Sequence, residues 1–378
     1  MKRQIFDVEH DLFREQVRRF VANQITPFHE EWNESGCVPR ELWLQAGKAG
    51  LLCPALPEEY GGGGGDRLHS IVVFEELCRV GATGPGFQMH SDIVASYIEY
   101  HGTESQKLRF LPDMAAGQKI GALAMTEPGA GSDLRGISTR AERNGDMYVV
   151  NGQKTFISNG MMADTIVTAV KTGDAKGRQG ISLLIIPGDA PGLMRGKNLK
   201  KLGSHAQDTA ELFFEDVRVP VDNLLGSEGQ GMRQMMKELA WERLQIAAGA
   251  AALMEAAFDW TLEFVRGRQA FGQPIVEFQN TRFKLAEIKT QVEVARTFVD
   301  RCLGDMMHGE LDPITAAMAK CWVTDAQSRI LDECLQLHGG YGYIWDYPIC
   351  RAYADTRIHR IFGGTNEIMK ELIGRSFT

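Results

Sequence analysis

The 378-residue sequence predicts an α+β fold in three successive parts: helical, then β, then helical. Three observations carry that reading. Helical spacing of apolar residues dominates residues 5–117, short β-prone runs fill the middle, and long helical stretches almost free of breakers run from about 229 onward. The length exceeds what one hydrophobic core usually serves. The borders are therefore expected at 1–117 for an N-terminal helical domain, 118–225 for a central β-domain and 226–378 for a C-terminal helical bundle.

DLFREQVRRFVANQI and SIVVFEELCRVGA show the helical pattern, interrupted by the proline- and glycine-marked PALPEEYGGGGGD. The five glycines 61–65 are expected to form a flexible surface loop. In the middle, YVVNGQKTFIS, TIVTAV, ISLLII and AELFFEDVRV alternate with GD, PG and KG turns, which predicts an antiparallel barrel or sandwich. Finally, GMRQMMKELAWERLQIAAGAAALMEAAFDWTLEFVR and TRFKLAEIKTQVEVARTFVDRCLGDMM are long enough to pack as a helix bundle. The methionine run 232–236 and His338 are expected in structural roles.

Composition removes several function classes. At 44% hydrophobic and 24% charged, the chain belongs with ordinary globular proteins. A net charge of −8 and the lack of a basic stripe argue against general nucleic-acid binding. No apolar run approaches the roughly 20 residues that span a bilayer. MKRQIFDVEHDLFREQ is amphipathic and carries acids, unlike a secretory signal or transit peptide, so a bacterial cytoplasmic location is expected. Seven scattered cysteines, never spaced as CxxC, favour neither a disulfide framework nor a zinc site. HExxH, Walker-type and full GxGxxG motifs are missing.

Four short stretches and one acid remain. MTEPGAGSD (125–133) is a glycine-rich loop whose backbone N–H groups could face an anion, with Thr126 and Ser132 as further donors. KTFISN (154–159) ends a strand in polar residues; RQAFGQPI (268–275) and QLHGGYGY (336–343) put glycines beside a cation or amide. A plain turn or helix corner would look the same in each case. The acid is Glu242, which shares a helix face with Met235, Leu239, Ile246, Gly249 and Leu253. No residue three or four positions away is a cation, and Arg243 points about 100° around the helix. Glu238 is a like charge one turn earlier that either raises the pKa of Glu242 or is simply exposed.

In this order, across nearly the whole chain, these stretches resemble the acyl-CoA dehydrogenase flavoprotein family. The ERL of the long helix and the terminal IFGGTNEIMKEL are most similar to its long-chain branch. The resemblance implies that fold, with a C-terminal four-helix bundle, bound FAD, and a homotetramer built as a dimer of dimers with FAD at subunit interfaces. It implies that Leu123, Met125, Thr126, Gly131 and Ser132 line the flavin, and that Phe156, Ile157 and Ser158 cover its face and edge. Arg268, Phe271, Gln279, Gln336, Leu337, Gly339 and Gly340 would reach the FAD of a neighbouring subunit. Thr365, Asn366 and Glu367 would close over its phosphate and adenosine side. Ser132, Ala240, Trp241, Arg243, Phe362 and Gly364 would shape the acyl-CoA channel, whose tail end is expected near FQMHSDIVASY (87–97).

The implied reaction is α,β-dehydrogenation of an acyl-CoA to the trans-2-enoyl-CoA, in fatty-acid β-oxidation, with electrons passed to an electron-transfer flavoprotein. Many family members carry the base in the C-terminal loop, in a Tyr-Glu-Gly-Thr context. This chain reads Phe362-Gly363-Gly364-Thr365, so Gly363 offers only a backbone N–H to the thioester oxygen. The long-chain and isovaleryl branches place the base on the long helix, at the position matching Glu242. The missing acid and the unexplained acid account for each other. The alternative for Glu242 is exposure through a bundle gap or pairing with an arginine from another helix. For the whole chain, the alternatives are an isovaleryl- or citronellyl-type branched substrate, an oxidase, or a non-catalytic flavin-binding assembly protein.

Overall fold

The computed structural model describes residues 3–173 and 179–378. Its N-terminal part holds helices α1 (Val8–Phe20), α2 (His29–Ser35), α3 (Arg40–Lys48), α4 (Arg67–Arg79), α5 (Ala95–His101) and α6 (Glu104–Ala115). Asp7, Asp66 and Thr103 accept hydrogen bonds from first-turn N–H groups at the starts of α1, α4 and α6. They satisfy donors that an α-helix leaves without partners. A π-helical turn, Met89–Val94, leads directly into α5. The glycines 61–65 depart from expectation. They are stitched to the preceding loop, with Gly63 N donating to Cys53 O, Gly64 N to Leu56 O and Gly65 N to Pro54 O. A Cβ at Gly62 would lie 2.1 Å from the Leu56 carbonyl oxygen, so glycine is needed here for close packing rather than for mobility.

The central strands are β1 (Gly121–Ala124), β2 (Arg140–Asn144), β3 (Met147–Ser158), β4 (Thr165–Gly173), β5 (Gln179–Pro187), β6 (Leu193–Arg195), β7 (Thr209–Pro220) and β8 (Leu224–Leu225). They form one sheet in the order β6-β7-β3-β2-β4-β5-β8, with β1 also paired to β4. Most pairings are antiparallel, as the turn spacing predicts. The exceptions are β1 and Arg140 of β2, which run parallel to β4 along its free edge. A parallel neighbour needs a long crossover, and residues 125–164 supply it. Alternation splits the sheet's side chains between two cores. Leu123, Val167, Leu183 and Ile185 face α5, α6 and Met235, whereas Ala122, Val150, Ile166 and Leu184 pack in the second layer with Leu212.

The C-terminal part is built on α7 (Gly231–Gly267), α8 (Gln279–Met307) and α9 (Pro313–His338), closed by the short α10 (Pro348–Thr356) and α11 (Asn366–Arg375). Every residue of α7 from Glu238 to Met254 is buried. The sequence shows one apolar face, but α4 of the N-terminal part, α8 and α9 all pack on this helix. The small residues 247–252 let them approach closely. Met235 is fully buried and Met236 exposed. His338 is structural as expected: its Nδ1 lies 2.8 Å from Cys334 O and its ring stacks on Phe264.

Candidate active site

The fold buries Glu242. It is 6% exposed and, among the described residues, has no cation within ion-pair distance. Its partner is Tyr97 of α5, whose hydroxyl donates to Oε1 at 3.1 Å. Burial drives the carboxyl up, the Tyr97 hydrogen bond pulls it down, and the Glu238 charge adds to the rise, leaving it pushed up to about 7. Both bland readings of this acid therefore fail: it neither faces solvent nor pairs with an arginine of another helix. Glu238 is buried as well, and His101 Nε2 lies 3.1 Å from its Oε1.

The C-terminal loop lies directly above this acid's helix face. A Cβ built on Gly363 would sit 2.5 Å from Cδ1 of Ile246, one turn beyond Glu242. Gly363 also has φ +63°, a backbone region that L side chains rarely adopt. Among the described residues its N–H has no acceptor within the chain. Two buried cations hold the loop's carbonyls. Arg243 Nε lies 3.4 Å from Gly363 O, and Lys320 Nζ donates to Gly364 O at 2.7 Å and to Asn366 Oδ1 at 2.8 Å. Lys320 is fully buried, and that desolvation pulls its ammonium down to about 8. The side chain of Asn366 turns into the bundle, donating to Thr324 Oγ1 and Asp325, instead of outward over a cofactor. Thr365 caps α11 by accepting from Ile368 N, Glu367 is exposed, and Phe362 stacks on His359.

The glycine loop 125–133 is shaped by a buried ion pair. Lys154 Nζ donates to Glu127 Oε1 at 2.8 Å and to Met125 O at 3.0 Å, while Glu127 also takes the N–H groups of Ser138 and Thr139. Burial opposes the charge on Glu127, but these donors hold its carboxyl down at about 2. The loop's tip, including Gly131 and Ser132, is left facing solvent; a Cβ on Gly129 or Gly131 would meet nothing within 4 Å. Leu123 is buried beneath, with Met125 and Thr126 half-buried, and Thr126 O accepts from Thr155 N. The register of β3 against β7 slips between Lys154 and Ile157. That slip pushes Phe156 out of the ladder at φ +60° and 68% exposed, with Ile157 buried and Ser158 half-buried beside it. An exposed aromatic on a strained bulge, next to an open glycine loop, fits the face and edge of a flat ring system.

The remaining predicted residues gather elsewhere. From Glu242 to Arg268 the helix rises about 39 Å at 1.5 Å per residue. There Arg268 stands over the Tyr341 ring, 5.4 Å from its centroid, with Gln279, Gln336, Gly339 and Gly340 also exposed and Leu337 half-buried. Between β9 (Gln269–Ala270) and β10 (Gln273–Pro274), Phe271 and Gly272 both have positive φ, and Phe271 is 97% exposed. Back at Glu242, Ala240 and Trp241 are buried on other faces of α7. Trp241 lies beneath Arg67 and lines a separate cavity of about 290 Å³ with Asp92 and Tyr100. Sequence reasoning missed the pairing of Tyr97 with Glu242 and of His101 with Glu238, and it missed Lys320. The four-residue spacing Tyr97–His101, matching Glu238–Glu242, is the one signal that could have pointed to the first two.

Family models for the acyl-CoA dehydrogenase N-terminal, middle and C-terminal domains match residues 7–118, 122–217 and 229–378. The long-chain specific acyl-CoA dehydrogenase of Rattus norvegicus mitochondria is 50% identical over 99% of this chain and 87% of its own length. The short-chain specific enzyme of Clostridium acetobutylicum is 39% identical over 97% of each chain. The crystal structure of an acyl-CoA dehydrogenase from Geobacillus kaustophilus superposes with a TM-score of 0.96 at 46% identity, covering all of both chains. The helical–β–helical architecture, a flavoprotein oxidoreductase activity on acyl-CoA in fatty-acid metabolism and FAD as cofactor follow together, and the chain belongs to the acyl-CoA dehydrogenase family.

Proposed function

We propose that Glu242 is the base that removes the α-proton of an acyl-CoA and that Gly363 N–H stabilises the thioester oxygen. The observation that carries this reading is the facing of a buried, cation-free carboxylate and a glycine across Ile246. An α C–H is a weak acid, so negative charge builds on the thioester oxygen as the proton leaves. A donor already held in place, such as the unengaged N–H of Gly363, stabilises that charge without reorganising. Arg243 and Lys320 keep the donor there by fixing the two carbonyls of the loop. The Tyr97 hydrogen bond occupies Oε1 of Glu242, which leaves Oε2 to take the proton. A carboxyl pushed up to about 7 is a stronger base than an exposed one while still substantially ionised near neutral pH. Bound FAD supplies the oxidant, taking up the two electrons and the hydrogen that leave the β-carbon. Leu123, Met125, Thr126 and Phe156 to Ser158 are the residues that would hold its ring, and the amides of the loop through Gly131 and Ser132 would lie near its pyrophosphate.

The substrate we infer is a saturated chain of about ten carbons or more, a preference read as a ratio of kcat/KM values. The higher identity to the long-chain enzyme than to the short-chain one supports it. The strained, fully exposed Phe271 beside Arg268 supports a homotetramer in which this end of α7 reaches a neighbour's FAD. Electrons then pass to an electron-transfer flavoprotein. One anaerobic experiment tests the reading: flavin bleaching by acyl-CoAs of four to sixteen carbons, straight and branched, in wild type and Glu242→Gln. Wild type should bleach fastest with long straight chains, and the variant should keep its FAD while reduction falls about 10²–10⁴-fold. Wild-type rates in Glu242→Gln overturn the base; a maximum at four carbons or on branched chains overturns the chain length.

A further inference from the structure

Two rungs join α5 to α7. Tyr97 meets Glu242 and, four residues on, His101 meets Glu238, each at 3.1 Å. The partner numbers fall along α7 as they rise along α5, so the helices run antiparallel and the rungs lie one turn apart. Tyr97 is 0% exposed, and a phenol so deeply buried needs a hydrogen-bond partner. Its partner here is a carboxylate oxygen. Burial keeps the phenol's own proton in place, with its pKa well above the ordinary value, so in this pair Tyr97 is the donor whenever Glu242 is ionised.

We propose that Tyr97 is a positioning residue for this reaction: its hydroxyl holds the Glu242 carboxylate in one orientation and stabilises its charged form, keeping the base ionised in a dry site. This rests on Glu242 being the base. Every other group facing that carboxylate is accounted for. Glu238 on the same helix opposes ionisation and Arg243 favours it; His101 holds Glu238 through the second rung; the loop opposite contributes only Gly363, which has no side chain. Tyr97 is thus the one donor that bonds Glu242 directly among the described residues. It works by staying in place. A carboxylate free to swing would spend part of its time turned from the α-carbon, and would also take a proton from solvent more readily.

The test is the pH profile of anaerobic flavin reduction by the best straight-chain substrate. Tyr97→Phe keeps the ring and removes the donor, so the midpoint should move up by about one pH unit or more, with activity recovering on the alkaline side. Incorporating 3-fluorotyrosine at position 97 strengthens the donor with only a hydrogen-to-fluorine change in size, and should move the midpoint down. Opposite shifts support the proposal. A midpoint unchanged in both variants overturns it, because a merely structural tyrosine would alter rates without moving the titration. If Tyr97→Phe does not fold, the fluorotyrosine enzyme decides alone. Failure of the base assignment is read separately, from wild-type reduction rates in Glu242→Gln.

Discussion

Replacing Glu242 by Gln should disable the protein while making its stability gain on that of wild type as pH rises. Burial pushes the folded carboxyl up to about 7, against 4.5 for the free side chain. Folding therefore favours the protonated form. The stability this provides is whole below about pH 4.5 and is lost as pH rises through about 7. Integrating the two titrations gives a loss of roughly 2–3 kcal/mol between pH 5 and pH 8. Glutamine does not titrate, so its variant escapes that loss. It has a fixed cost of its own, an amide N–H group buried in the same dry site, but this cost is the same at every pH and cancels in the comparison. For a chain of 378 residues the difference corresponds to about 3 °C in melting temperature. The assay is thermal unfolding of both holoproteins from pH 5 to pH 8, at fixed protein and FAD concentrations. The variant's melting temperature should gain on wild type steadily up to about pH 7 and then level off. A gap between the two that does not change with pH would mean that the carboxyl is not desolvated, and the argument for a tuned base would fall with it.

Two further outcomes follow from the geometry. Moving the acid, with Glu242→Gly and Gly363→Glu together, should restore only part of the flavin reduction, because the new Cβ meets Ile246 Cδ1 at 2.5 Å on a backbone with φ +63°. Adding Ile246→Val removes that one atom, so the triple variant should reduce flavin faster than the double, measured by anaerobic stopped flow; equal rates would place the obstacle elsewhere. Arg268→Ala should weaken both FAD retention and oligomerisation, read by absorbance and sedimentation on the same sample. Full FAD occupancy in a strictly monomeric wild type would refute a role across subunits.

Much of this protein is local information. The 3.6-residue spacing of DLFREQVRRF, the alternation of YVVNGQKTFIS and the unbroken run from Met232 to Arg266 depend on neighbours in the chain, and each appears in the fold as the helix or strand its pattern predicts, although β3 bulges at Phe156 and α7 is buried on more than its one apolar face. The exchange of acids was legible for a similar reason: a carboxylate without a nearby cation at 242 and a glycine at 363 are facts of the sequence itself. What the sequence could not tell was which groups, distant along the chain, would meet. Tyr97 stood only at the end of a stretch expected near the acyl tail, and its pairing with Glu242 needed α5 to be laid antiparallel on α7. Asn366 was expected to face a cofactor, but the buried end of Lys320 draws it inward. The five glycines looked mobile, yet a carbonyl oxygen 2.1 Å from where a Cβ would be leaves no room for any other residue. Propensity and periodicity are settled within a few residues, whereas burial and hydrogen-bond pairing depend on how separate segments close on one another. Only the tertiary structure decides that, because the cost of burying a polar group is set by whichever distant partner arrives to meet it.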